Sequence, residues 1–294
     1  RQLLAAIRGA VGQRAKILLD CPGSKVRTAH VPAPIPVRAG VPVLLGLHQF
    51  SHDALPACLQ AGDVLLTSDG QLKLVVVSRG PDGIRLMPED DGVIGCNKGV
   101  HLVGRRPPIP FFSPLDLELL EVARTSDVNL VGLSFVRSAQ DVLQVRSALQ
   151  GSGVEPVCKI ETQEACDRLE EILAVASRIL IDRGDLASEI GLYDVARAER
   201  KIMDGAVRHG VPVFVATQLL SHMVVHPIPS MAEVVGLAHV IARADGIQLS
   251  EETAIGAHPL NVLDTVRRVR ARVPAGAGEG AVLCQGRVVW FTGL

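Results

Sequence analysis

The chain has no surplus of charge of either sign. Its 30 Lys and Arg face 31 Asp and Glu, a net charge of −1 with a pI near 6.8. That balance leaves no basic footprint for nucleic acid or for an anionic membrane surface. No uncharged apolar run of bilayer-spanning length occurs, and no secretory signal pattern. The six cysteines (Cys21, Cys58, Cys96, Cys158, Cys166 and Cys284) are scattered without a CxxC pair. Such spacing supplies neither a zinc site nor a disulfide framework, and it fits a reducing, cytoplasmic compartment. Solenoid-length repeats are missing, and no glycine-rich dinucleotide or phosphate loop follows any predicted strand.

What is present is a chain of 294 residues, 48% hydrophobic and 21% charged, long enough for a large core and a smaller domain. Residue 1 is Arg, so the reading expects a piece of a longer protein. The most informative stretch is Val157-Cys158-Lys159-Ile160-Glu161-Thr162. Val157 to Ile160 read as a buried strand, and alternation points Lys159 and Glu161 the same way. From Thr162 a helical stripe runs through Ala165, Leu169, Ile172 and Leu173. The pair therefore stands at a strand-to-helix junction, where parallel α/β folds put their chemistry. Taken alone, the same pair is equally a salt bridge at a strand end.

Along the chain, residues 3–11 form an amphipathic pattern and Ala15 to Asp20 a strand. From about Thr28 to Gly104, prolines 32, 34, 36 and 42 lead into short β-like runs with turns at Ser68-Asp69-Gly70 and Pro81-Asp82-Gly83. After Arg105 a strand-helix rhythm takes over. Strands are predicted over 129–135, 157–160, 178–182, 211–216 and 246–249, with helix starts at Ser113-Pro114, Ser138–Asp141, Ser230–Glu233 and Pro259. Six strands alternate with helices, and several end in polar residues. The pattern predicts an α/β fold, a parallel (β/α)8-type barrel that is incomplete, with six strands recognised, and a small inserted β domain; a doubly wound open sheet is the alternative. The expected divisions are 1–28 (barrel), 29–104 (inserted β domain), 105–273 (barrel) and 274–294 (linker and start of a further domain).

Each strand end has a bland reading. Asp185 could cap a helix or pair with Glu161 as oxygen ligands for a hard dication. Lys159 would then balance a substrate anion. Thr217 serves as a cap or turn residue on the bland reading, Ser250 and Glu252 read as a structural pair, and Arg27 is a phosphate clamp or a solvated charge.

The motifs L-L-D-C-P-G-S-K-V-R-T (18–28), N-K-G-V-H-L-V-G (97–104), L-S-F-V-R-S-A-Q-D-V (133–142), C-K-I-E-T (158–162), I-D-R-G-D-L-A-S-E-I (181–190), A-T-Q-L-L-S-H-M (216–223) and L-S-E-E-T-A-I-G-A-H-P (249–259) make the chain resemble pyruvate kinase. The resemblance implies a (β/α)8 barrel in which the inserted domain is a small β-barrel lid, and Mg-dependent (or Mn-dependent) phosphoryl transfer from phosphoenolpyruvate to ADP, giving pyruvate and ATP in glycolysis, in a cytoplasmic homo-oligomer. It implies that Lys159 neutralises the enolate and the moving phosphoryl group and that Glu161 and Asp185 hold the metal. Thr217 is implied at the substrate's methyl and carboxylate end, and Arg183, Gly184 and Asp185 around the carboxylate, with Ser134 also on the substrate. Arg27 is implied at phosphate, Lys98 near the nucleotide, and Asp69 as an acid of the lid.

Departures from the family pattern are part of the same reading. The opening strands with R-x-N-F-S-H-G and the C-terminal effector domain have no counterpart here. Asp182 replaces a small residue beside the carboxylate cradle and Glu251 replaces a glycine, both adding negative charge near an anion site. Residues 286–294 resemble the first strand of adenylylsulfate kinase, which implies a fused domain; an extra strand covering an open barrel edge is the alternative. Two other functions stay open: a divalent-metal aldolase or lyase of the phosphoenolpyruvate/pyruvate barrel group, and a degenerate, non-catalytic metabolite-binding module. Lys25 stands where potassium-dependent members carry Glu, and Cys21 replaces a threonine that ligates potassium, so no potassium requirement is expected. In a phosphotransfer assay of the full-length parent, replacing potassium with a large inert cation should leave the rate unchanged; strong activation by potassium refutes this.

Overall fold

A computed structural model of the chain describes residues 2–68 and 70–273, and the backbone of 287–291. The strands in chain order are β1 (Ala15–Cys21), β2 (Ile35–Val37), β3 (Val43–Leu45), β4 (Val64–Thr67), β5 (Leu72–Gly80), β6 (Gly83–Pro88), β7 (Gly92–Ile94), β8 (Val100–Leu102), β9 (Leu130–Leu133), β10 (Glu155–Ile160), β11 (Ile179–Asp182), β12 (Val213–Ala216), β13 (Gly246–Gln248) and β14 (Arg287–Phe291). They divide between two units. The first takes in the described residues of Arg1–Pro22, Pro114–Arg183 and Arg197–Leu294; the second comprises Gly23–Ser113 and Gly184–Ala196, with Asp69 outside the described residues.

The first unit carries one sheet in the order β13-β12-β11-β10-β9-β1-β14, and every neighbouring pair is parallel. Helices separate its strands as the sequence pattern requires, which is the β/α alternation of an incomplete (β/α)8 barrel. Local chemistry sets the helix starts. Ser138 accepts from the Asp141 amide while the Asp141 carboxylate accepts from the Ser138 amide, and Ser230 and Glu233 do the same. Pro114 and Pro259 open their helices. The stripe after Thr162 is buried as expected, but Arg168 leaves helical geometry (φ −104°, ψ 26°) and divides it into Gln163–Asp167 and Leu169–Leu173. The tail strand β14 pairs with the free edge of β1, from Ala15↔Arg287 to Leu19↔Phe291. That pairing is what the edge-covering alternative expects; the expected linker, Ala275 to Gly280, lies outside the described residues.

Register explains where the polar residues go. Leu18 pairs with Leu130, Asp20 with Gly132, Gly132 with Val157, Lys159 with Leu180, and Asp182 with Ala216. Paired residues share a face and alternate residues return to it. Leu18, Leu130, Val157, Leu180 and Ala216 accordingly form one buried apolar cluster. Two residues further along three of these strands stand Asp20, Lys159 and Asp182, and on β9 the equivalent position is Gly132. A Cβ on Gly132 would collide with Asp20 Oδ1 and press on Leu18, so only glycine leaves room for that carboxylate.

The second unit is antiparallel, with β3-β6-β5-β4-β8 in one sheet and β2-β7 as a separate pair. Its core gathers Leu45, Leu55, Leu65, Leu74, Ile84, Leu86 and Ile94. The short strands β2, β7 and β8 and the helix Ala54–Cys58 were not anticipated, because three to five residues are too few to show a period. Among the described residues, no helix is long and apolar enough to cross a membrane.

Gly132→Ala should lower stability by about 1–3 kcal/mol, the range for overpacking a tight site. Urea denaturation followed by circular dichroism measures it.

Candidate active site

In the first unit the C-terminal ends of four neighbouring strands bring together one ammonium and three carboxylates. Lys159 Nζ donates to Ser134 Oγ at 2.9 Å. It lies 3.4 Å from Glu161 Oε2, 3.6 Å from Asp20 Oδ2 and 3.6 Å from Asp182 Oδ2. The Lys159 side chain is only 7% exposed and that of Glu161 is fully buried. Desolvation of this kind is costly for any charge, and close opposite charges with additional hydrogen bonds offset it. The additional bonds are present. Glu161 Oε1 accepts from the Phe135 amide at 2.7 Å, and Asp182 Oδ1 accepts from Thr217 Oγ1 at 3.1 Å. Thr162 secures the start of the following helix by accepting from the Ala165 amide at 3.0 Å, while its hydroxyl donates to the Val136 carbonyl at 3.1 Å.

One ammonium thus stands among three carboxyl groups. Glu161 and Asp182 each present a carboxylate oxygen within 4.8 Å of the other. The donors are hard oxygens without sulfur or imidazole, which suits Mg2+ or Mn2+ and disfavours zinc. Cys21, at the end of β1, is buried, and burial, then Asp116 and Asp20, push its thiol far above the usual range. Burial likewise pushes Cys158 up to about 12.

Of the remaining expected residues, the second unit holds Lys25, Arg27, Lys98, Gly184 and Asp185, while Arg183, Ser250 and Glu252 belong to the first. Asp185, in the first turn of the helix Arg183–Ile190, is ion-paired with Lys25, and His101 Nε2 stands 3.9 Å from the same carboxylate. His101 Nδ1 lies 3.1 Å from Glu189 Oε1. Arg27 and Lys98 are brought to neighbouring segments. Arg27 bridges Gly99, its guanidinium donates to the Asn97 carbonyl at 3.1 Å, and the Thr28 hydroxyl accepts from the Lys98 amide at 2.9 Å. Ser250 and Glu252 form the expected structural pair, the Ser250 amide donating to Glu252 Oε2 at 3.1 Å. Burial raises the Glu252 carboxyl above its ordinary value.

The sequence model described as "Pyruvate kinase, barrel domain" matches residues 3–263. The chain belongs to the pyruvate kinase family. A pyruvate kinase from Borreliella burgdorferi is 32% identical over 275 residues, covering 90% of this chain and 58% of that protein. One from Thermotoga maritima is 32% identical over 266 residues, covering 86% and 57%. A crystal structure of pyruvate kinase from Pyrobaculum aerophilum superposes with a TM-score of 0.77 at 29% identity, covering 92% of this chain and 63% of that one. The chain thus spans less than two thirds of the length of these relatives. Membership sets aside the aldolase or lyase reading.

Among the polar residues, Asp20 was not singled out as a site residue. Its signal was present: a lone acid closing the apolar run Ile17-Leu18-Leu19, with the parity of the focal lysine. Asp182 was noted only as an added charge, and its bond to Thr217 depends on the pairing of β11 with β12, which local sequence does not state.

Lys159→Met strands three buried acids without their ammonium. Stability should fall by about 3–5 kcal/mol, as when a buried ion pair loses one member. Millimolar Mg2+ should restore part of it. Thermal melts with and without the ion measure both.

Proposed function

We propose that this chain is the barrel and lid of a cytoplasmic, homo-oligomeric pyruvate kinase of glycolysis that transfers the phosphoryl group of phosphoenolpyruvate to ADP, yielding pyruvate and ATP. The observation that carries the reading is the buried Lys159 ammonium at a strand's C-terminal end, bonded to Ser134 and bordered by acids, in a chain of this family. Lys159 neutralises the charge that grows on the enolate oxygen and on the phosphoryl group in flight, a task for a fixed point charge in a dry setting. Glu161 and Asp185 are the proposed oxygen ligands of Mg2+ or Mn2+. When bound, such a cation supplies charge neutralisation for the phosphoryl oxygens.

The remaining roles follow the same reading. The backbone around Arg183, Gly184 and Asp185 holds the substrate carboxylate, with Ser134 beside it. Thr217 stands at the methyl end and takes part in protonating the enolate carbon. Arg27 contacts phosphate and Lys98 lies near the nucleotide; their neighbouring placement in one unit supports assigning them to one ligand. Lys25 serves as an internal cation in place of potassium, which its ion pair with Asp185 supports. A fused adenylylsulfate kinase domain, suggested by residues 286–294, stands in the proposal beside the edge-covering strand, which the pairing of 287–291 with β1 supports.

A coupled pyruvate-forming assay on the full-length parent protein, with and without Lys159→Met, tests the reading. Transfer to ADP should fall by at least about two orders of magnitude in the variant, the scale for losing one preorganised stabilising group. No transfer in the unaltered protein, with retained binding of phosphoenolpyruvate, would replace the reading with a metabolite-binding module.

A further inference from the structure

Two non-glycine residues at consecutive positions, Thr217 (φ 62°) and Gln218 (φ 53°), adopt left-handed backbone at the end of β12. For a β-branched residue this conformation is a true outlier, and it persists only where the surroundings hold it. The preceding strand end supplies the hold. Thr217 Oγ1 donates to Asp182 Oδ1 at 3.1 Å. The next residue, Arg183, donates through Nε to the Thr217 carbonyl at 3.1 Å and through Nη2 to the Gln218 carbonyl at 2.9 Å. Arg183 is itself anchored, with Nη1 3.7 Å from Glu199 Oε2 and its side chain 17% exposed. Beyond the turn, the buried Leu219 and Leu220 fix the chain's exit.

The other oxygen of Asp182 completes the geometry. Oδ2 lies 3.6 Å from Lys159 Nζ, so one carboxylate spans the ammonium and the threonine hydroxyl. A similar device stands at the ends of β9 and β10. Phe135 is also left-handed (φ 57°), and its amide is held by the acid of the adjacent strand, Glu161.

We infer that Asp182 and the Arg183 side chain are positioning residues that hold Thr217 in its left-handed conformation and direct its hydroxyl relative to Lys159. The hold is a matter of geometry in the first unit. Its catalytic consequence rests on the proposed function, which puts Thr217 at the substrate. Asp182 is then more than an added negative charge near an anion site: it belongs to the frame of that site. Removing its side chain frees the hydroxyl, whereas an amide keeps an acceptor in place.

The test uses the full chain and two readouts. Deuterium uptake of the 213–224 segment should rise by at least about tenfold in Asp182→Ala and in Arg183→Met, the scale of losing a hydrogen bond to a charged group. Asp182→Asn should stay near the unaltered rate. Unchanged uptake in Asp182→Ala and Arg183→Met overturns the inference. Should Asp182→Ala fail to fold, Arg183→Met and Asp182→Asn decide alone, the first with raised and the second with native uptake. The second readout, made on the full-length parent, is solvent exchange of the pyruvate methyl protons in D2O. Its turnover should drop in Asp182→Ala with KM little changed and be largely regained in Asp182→Asn. Exchange missing even from the unaltered parent counts against the proposed function and leaves the uptake result to judge the hold. Normal exchange in Asp182→Ala overturns the positioning role.

Discussion

Everything polar at the centre of the first unit depends on the ammonium of Lys159. Three buried carboxyl groups lie 3.4–3.6 Å from it, and a cation among them favours their charged forms. Lysine suits the place: a compact point charge on a stem long enough to rise from an apolar layer to the level of the acids. Two of the acids are tied a second time by neighbouring strand ends, through the Phe135 amide for Glu161 and the Thr217 hydroxyl for Asp182. The charges are therefore part of the sheet's construction, and the sheet sets their spacing.

That dependence joins stability to function. A buried cluster of ionisable groups is poor packing for its own sake, since apolar residues of the same volume would do as well or better. It makes physical sense as the site of the proposed phosphoryl transfer. The two left-handed residues next to the acids, Phe135 and Thr217, add a backbone cost of the same character.

The parallel strands were legible because each is a short apolar run followed by a helix with a readable start, such as Ser138 with Asp141 or Pro259. Lys159 and Glu161 were legible as partners because alternation is a local property, and the 3.4 Å ion pair between them follows from it. Asp20 and the Thr217 bond of Asp182 were not, because both depend on which strands lie side by side. In the second unit, strands of three residues and the ion pair of Lys25 with Asp185 are tertiary facts with no periodic signature. The left-handed threonine was invisible for a different reason: Thr has no local preference for that backbone, which is imposed by Arg183 and Asp182.

The alternation of the parallel strands also acts as a ruler. On β1, β10 and β11 the charged residue comes two positions after the leucine or valine of the apolar layer: Leu18 and Asp20, Val157 and Lys159, Leu180 and Asp182. A gain or loss of one residue inside any of these strands would turn its charge toward the helices and its neighbour inward, while loops can change length freely. Even counts, more than residue identity, are what a distant homologue must preserve, and they offer a way to align barrels whose sequences no longer match.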